Sequence, residues 1–158
     1  VASVGTPVGG GRGRLALYPT AETLHLTLVP PIITLLTDFG TADGYVAEMK
    51  GVLLSQAPGA TIVDVSHEVG AHDVECGRLA LARYWRRFPP GTIHLAVVDP
   101  GVGSERAAIA VQSDGRMLVG PDNGLLSPAL LVAGVEVVAL PIEPSMRMPT
   151  RPTAASAA

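Results

Sequence analysis

A single cysteine, Cys76, occurs in 158 residues, which excludes an intrachain disulfide and any cysteine-based zinc site. That scarcity fits a reducing compartment, and a cytoplasmic location is the expectation. Positive charge is not in excess either: eleven Lys and Arg stand against fourteen Asp and Glu, for a net charge of −3. Apart from Arg83, Arg86 and Arg87, which read as a solvated helix end favoured by the helix dipole, the basic residues are dispersed. No basic stripe points to nucleic acid. No apolar run approaches the eighteen or so residues a membrane span needs, and no basic start followed by an apolar core marks a secretory signal. No internal repeat is visible.

What the chain does have is apolar content: 47% of residues are hydrophobic and 16% charged, the balance of a globular α/β core rather than of a disordered segment. The length is one domain's worth. Residues 1–30, rich in Gly, Thr, Val and Pro, read as a flexible N-terminal extension, and 31–140 as an α/β domain. Residues 141–158, with Pro141, Pro144, Pro149 and Pro152 ahead of an Ala-rich end, read as an irregular C-terminal tail. The first residue is Val rather than Met, which leaves a fragment or an altered start open.

Between the tails the elements alternate. Ile32 to Leu36 reads as a buried strand, followed by a helix from Gly44 to Gln56 with Val46, Met49, Val52 and Leu53 at helical spacing. Asp43 can cap that helix, and Pro58-Gly59 stops it. Thr61 to Val65 is a second strand, Asp73 to Arg87 a second helix carrying Val74, Leu79, Leu81, Ala82 and Trp85, and Thr92 to Val98 a third strand. Ala107 to Gln112 and Met117 to Val119 form a hairpin across Ser113-Asp114-Gly115-Arg116. A short helix near Leu125 to Val132 and a last strand from Val135 to Leu140 follow. This order predicts an α/β fold: a mainly parallel sheet with right-handed crossovers, helices on both faces, plus a β-hairpin.

Parallel strands bring their carboxyl ends to one edge, where ligands of open α/β sheets bind. Asp38, then Ser66 and His67, then Asp99 each follow an apolar strand, and Arg106 lies seven positions after Asp99. Asp122 and Asn123 join them if the hairpin folds back. Each residue also has a plainer reading. Asp43 is a helix cap first, Asp38 can bond its own turn, and Asp99 with Arg106 can be an ordinary ion pair. His67 and His94 read as ordinary, His94 as a core histidine with one hydrogen bond. Asp122-Asn123-Gly124 is a turn signature before it is anything else. The Asp-Phe-Gly triplet at 38–40 lacks every other kinase signature and is a chance match.

Thr37-Asp38-Phe39-Gly40, Asp43, Tyr45-Val46, Glu48 to Gly51, Ile62 to Glu68, Val97 to Gly103 with Glu105-Arg106, and Pro121 to Leu125 together resemble the S-adenosyl-L-methionine (SAM) hydroxide adenosyltransferases, or SAM hydrolases. These are relatives of fluorinase and chlorinase. The resemblance covers about residues 31 to 130. It implies attack of water or hydroxide at C5′ of the ribose of SAM, giving adenosine and L-methionine, with no metal and no organic cofactor. On this resemblance Asp38 holds the ribose hydroxyls, with Asp43 and Asn123 as further substrate contacts. Asp99 and Arg106 are two of an Asp-Arg-His set that positions and activates the water. Fluorinase-like members carry a tyrosine where Asp99 stands, and an added loop that the short hairpin here lacks.

The same resemblance implies a homotrimer at full length, acting on a small molecule without nucleic acid or membrane. It also marks two departures: the family's downstream histidine segment and its C-terminal β-barrel domain are absent. The expectation is therefore an N-terminal domain, with a truncated, inactive fragment or pseudoenzyme as the alternative. A second alternative is a metal-dependent nucleoside hydrolase, because acids at strand ends can hold a divalent ion.

Overall fold

The computed structural model describes residues 30–141. The expectations for the N-terminal extension up to residue 29 and for the tail from residue 142 lie outside the described residues. Within them the order is β1 (Ile32–Thr37), α1 (Tyr45–Gln56), β2 (Thr61–Ser66), α2 (Val74–Tyr84), β3 (Ile93–Val97), β4 (Ala108–Ser113), β5 (Arg116–Pro121), α3 (Ser127–Leu130) and β6 (Glu136–Leu140).

The strands form one mixed sheet in the order β2-β1-β3-β5-β4-β6. The pairs β1–β2, β1–β3 and β3–β5 are parallel; β4–β5 and β4–β6 are antiparallel. Chain direction reverses through Asp114 and Gly115, whose φ angles of 47° and 70° give the left-handed pair that a two-residue hairpin turn requires. That turn is why β5 can run beside β3 without a helical crossover. The connections β1→β2 and β2→β3 travel in opposite directions across the sheet, and right-handed crossovers then set α1 and α2 against opposite faces.

The core lies on the α2 side. Leu36, Ala96, Val111 and Leu118 from the strands and Val98 just past β3 meet Leu81 from α2 and Trp85 directly after it, and Leu125 and Leu126 ahead of α3 and Ala129 within it complete the cluster. Gly77 lets α2 come down on this surface, because a Cβ there would lie 3.0 Å from Leu125 Cδ1 and 3.1 Å from Val98 Cγ2. Asp73 starts α2 by accepting the Cys76 N–H at 2.9 Å, as an N-cap should. The helix tightens into a 3-10 turn at Trp85–Arg87. There Arg116 donates to the carbonyls of Arg86 and Phe88 and to Asp114, satisfying helix-end acceptors that have no partner of their own.

Three local expectations need correcting. The N-cap of α1 is Gly44 in the left-handed conformation, not Asp43; Asp43 Oδ1 accepts the Tyr45 N–H at 3.1 Å instead. Of the stripe Val46, Met49, Val52 and Leu53, only Val46 is buried, and Val52 is half exposed. Leu79 of α2 also faces outward. Helical spacing identifies a face, but along α1 Met49 and Leu53 are only partly covered and Val52 is left in solvent.

Candidate active site

Four parallel strands, β2, β1, β3 and β5, end at the same rim. Because β1 and β3 pair with Thr37 opposite Val97, Asp38 and Asp99 leave neighbouring strands one and two residues later. The hairpin does fold back: β5 is parallel to β3, so Asn123 reaches the rim as well. Its Nδ2 donates to Val98 O at 2.8 Å and its Oδ1 accepts the Leu125 N–H at 3.1 Å. The amide therefore ties the end of β5 to the residue preceding Asp99.

Asp99 sits in a tight loop of its own making. Oδ1 accepts the Gly101 N–H at 2.8 Å, Asp99 O accepts the Val102 N–H, and Ser104 Oγ donates to Gly101 O at 2.6 Å. Gly103, at φ 86°, completes the turn. This winding returns the chain so that Arg106 Nε lies 3.5 Å from Asp99 Oδ1, with the carboxylate nearly buried at 9% side-chain exposure and the guanidinium at 32%. A carboxylate fixed by a backbone donor and faced by a guanidinium is oriented to accept a proton from a neighbouring water.

Asp38 is held from the opposite segment. Its Oδ2 accepts the His72 N–H at 2.8 Å, and His72 adopts φ 64°, a left-handed conformation that costs free energy for a non-glycine residue. Phe39 stacks edge-on against Tyr45 at 4.8 Å, which places the Asp38 turn beside the start of α1 and Asp43. The structure thus pairs Asp99 with Arg106, ties Asn123 to the backbone of Val98 just before Asp99, and places Asp38 on the adjoining strand end. Asp43 lies past the turn at the mouth of α1.

Two histidines divide sharply. His94 is fully buried in β3, with Nδ1 2.7 Å from Thr34 Oγ1 and its ring edge-on to Tyr84 and Phe88. Burial, aided by the charge of Arg116, pushes its pKa down to about 4. A backbone contact with Trp85 acts in the other direction, yet no hydrogen bond of acceptable geometry reaches Nε2. Burial likewise raises the neighbouring Tyr84 phenol to about 12. His67 is also buried but bonded at both nitrogens: Nδ1 lies 2.8 Å from Thr37 Oγ1 and Nε2 3.1 Å from Asp64 Oδ1. The sequence places His67 after its strand but does not announce this chain, because Thr37 lies 30 residues away, although Asp64 is only three residues from His67. The signal was the carboxylate of Asp64 inside an otherwise apolar run.

Among the described residues no three His, Cys, Asp or Glu are grouped to hold a metal ion, so the metal-dependent reading has no ligand cluster there. No described helix is long and apolar enough to cross a membrane. A shallow cavity of about 330 Å³ lined by Arg78, Trp85, Arg86 and Leu131 includes none of the rim residues.

The sequence and the architecture match known proteins. The model of the SAM hydroxide adenosyltransferase N-terminal domain matches residues 33–157. The chain belongs to the SAM hydroxide adenosyltransferase family. The (R)-S-adenosyl-L-methionine hydrolase of Salinispora arenicola is 48% identical over 104 residues, covering 66% of this chain and 40% of that protein. The hydrolase of the same name from Methanocaldococcus jannaschii is 46% identical over 101 residues, covering 61% and 38%. A fluorinase of an Actinoplanes species is 40% identical over 82 residues, covering 52% and 28%. Among solved structures, a conserved hypothetical protein from Thermus thermophilus superposes with a TM-score of 0.64 at 39% identity, covering 71% of this chain and 47% of that one. This family member therefore spans less than half the length of the relatives it matches.

Proposed function

We propose that this chain carries the nucleoside-holding and water-activating residues of a SAM-hydrolysing enzyme. The reaction is attack of water on C5′ of the ribose, with the C5′–S bond breaking to release L-methionine and leave adenosine. The observation that carries the reading is the Asp99–Arg106 pair at the rim, 3.5 Å apart, on a strand end adjoining that of Asp38. Asp99 takes the proton of the attacking water, and Arg106 orients the carboxylate. Asp38 accepts hydrogen bonds from both hydroxyls of the vicinal diol, and Asp43 and Asn123 border the nucleoside. As methionine departs the sulfonium loses its charge, so a dry site favours the transition state over the charged substrate. Identity to the hydrolases exceeds that to the fluorinases, and Asp99 is a base for water where a halide ion needs none. The substrate epimer is the (R)-sulfonium that names those hydrolases.

The test combines binding with product analysis. Calorimetry is expected to show adenosine bound by the chain and the affinity lowered about 5- to 150-fold by Asp38→Ala, the loss of about 1 to 3 kcal/mol that follows from unpaired buried hydroxyls. Incubation with SAM should yield adenosine and methionine in equal amounts, with no 5′-halogenated nucleoside in chloride or fluoride. Unchanged affinity in Asp38→Ala, or a halogenated product, overturns the assignment.

A further inference from the structure

A chain of four side chains runs from α1 to the base of the Asp38 turn without itself touching the rim. Lys50 Nζ donates to Asp64 Oδ2 at 2.5 Å, Asp64 Oδ1 meets His67 Nε2 at 3.1 Å, and His67 Nδ1 meets Thr37 Oγ1 at 2.8 Å. Thr37 Oγ1 in turn accepts the Phe39 N–H at 3.3 Å. The proton positions follow from the ends. An ionised carboxylate only accepts, so Nε2 carries a hydrogen; in the neutral ring Nδ1 then accepts from the Thr37 hydroxyl. The hydroxyl is left free to receive Phe39 N–H on a lone pair. Both ring nitrogens and the hydroxyl are bonded at the buried end, Thr37 and His67, where such a network holds its parts in one arrangement, while Lys50 and Asp64 meet solvent.

Order and contents resemble a hydroxyl–imidazole–carboxylate triad, but Thr37 is fully buried and cannot meet a substrate. Its hydroxyl acts on the backbone. Thr37 and Phe39 flank Asp38, and the segment bearing His67 grips the same turn at further points. Gly40 N–H donates to His67 O at 2.7 Å, Val69 N–H to Thr37 O at 3.3 Å, and His72 N–H to Asp38 itself. Thr41 Oγ1 adds a bond to Glu68. Partial burial opposes ionisation of Asp64, but the bonds from Lys50 and His67 outweigh it and hold the carboxyl below its ordinary range.

We propose that the Thr37–His67–Asp64–Lys50 chain is a positioning device for the Asp38 carboxylate, with His67 as the positioning residue, so that affinity for the vicinal diol of a nucleoside depends on side chains that never contact it. The diol rests on the function proposed above; the grip on the turn does not. A bidentate acceptor must be set within a few tenths of an ångström, and a turn of four residues cannot hold that alone.

Two readouts separate the claims. Amide hydrogen exchange, with no ligand present, reports the turn. Thr37→Val, which keeps the shape and removes the hydroxyl, and His67→Phe should speed exchange of the Gly40 and His72 amides at least about tenfold, whereas Thr37→Ser should leave it at the parental rate. Adenosine affinity reports the consequence: Thr37→Val should weaken binding about tenfold, Thr37→Ser should not, and in an Asp38→Ala background Thr37→Val should cause no further loss. Asp64→Ala, at a half-exposed position, should reproduce the same pattern in smaller measure. Parental exchange rates in Thr37→Val, or losses that add fully to that of Asp38→Ala, overturn the proposal. If the parental chain binds no adenosine, the nucleoside reading fails, and the exchange rates alone decide the positioning role.

Discussion

A Cβ built on Gly101 would lie 2.5 Å from Arg106 Nη2 and 2.8 Å from Nε, so the guanidinium occupies the space that any other residue at 101 would fill. Gly101 also donates its N–H to Asp99. One residue therefore sets both partners of the Asp99–Arg106 pair: the carboxylate through a bond, the guanidinium through an absence of side chain.

Gly101→Ala is consequently expected to act on the site and not on the fold. The obstructing atoms are the far end of a flexible side chain, and the backbone at 101 has no left-handed φ, so thermal stability should change by no more than about 0.5 kcal/mol. Arg106 should swing away from Asp99, and adenosine release from SAM should fall about tenfold or more. Parental turnover in Gly101→Ala would show that Arg106 need not lie where it does.

Asp99→Asn keeps the shape and the Gly101 bond but cannot take a proton. Hydrolysis is expected to drop on the order of a hundredfold, while calorimetric SAM affinity stays within about threefold of the parental value. A variant that turned over at the parental rate would remove Asp99 from the role of base.

The His94 ring gives the fold a pH dependence of known sign. Its pKa is about 4 in the folded chain against an ordinary 6.5, so folding favours the neutral ring. The stability it contributes is complete above pH 6.5 and is lost progressively as pH falls from there through 4. The full loss is on the order of 3 kcal/mol. Urea melts from pH 7 to pH 4 should show a steeper decline for the parental chain than for His94→Asn; identical slopes would place the acid sensitivity elsewhere.

Gly120→Ala meets a harder obstacle. The added Cβ would sit 2.4 Å from the backbone oxygen of Ala96, across the β3–β5 pair that delivers Asn123 to the rim. Neither strand can yield cheaply, and a loss of about 1 to 3 kcal/mol is expected from overpacking. A melting temperature within a degree of the parental one would contradict it.

Strand and helix positions were legible in the sequence because apolar runs between Gly and Pro breakers carry that information locally. Asp99 and Arg106 could be paired from spacing, since the Pro-Gly-Val-Gly turn allows only a short return. Asn123 required the direction of β5, which Asp114-Gly115 encodes. The grip of His72 on Asp38 was not legible, because it depends on a left-handed φ at a histidine, which no residue preference announces. The same holds for the link from Thr37 to His67 and Asp64: the latter two share one stretch, and only the pairing of β1 with β2 brings Thr37 into line with them. Burial of α1 was overstated because periodicity reports which side of a helix is apolar, not whether a surface lies opposite it.

The hairpin at Asp114-Gly115 makes the rim an exercise in counting. β5 pairs with β4 through Ser113 opposite Arg116, and side chains along a strand alternate between faces. A single residue inserted into that turn would shift β5 by one place, send Leu118 out of the core and bring Met117 in. Asn123 would then lose its hold on Val98, one residue before the proposed base. The parity of a two-residue turn, at the opposite end of the sheet from any chemistry, decides whether the last arm of the site arrives.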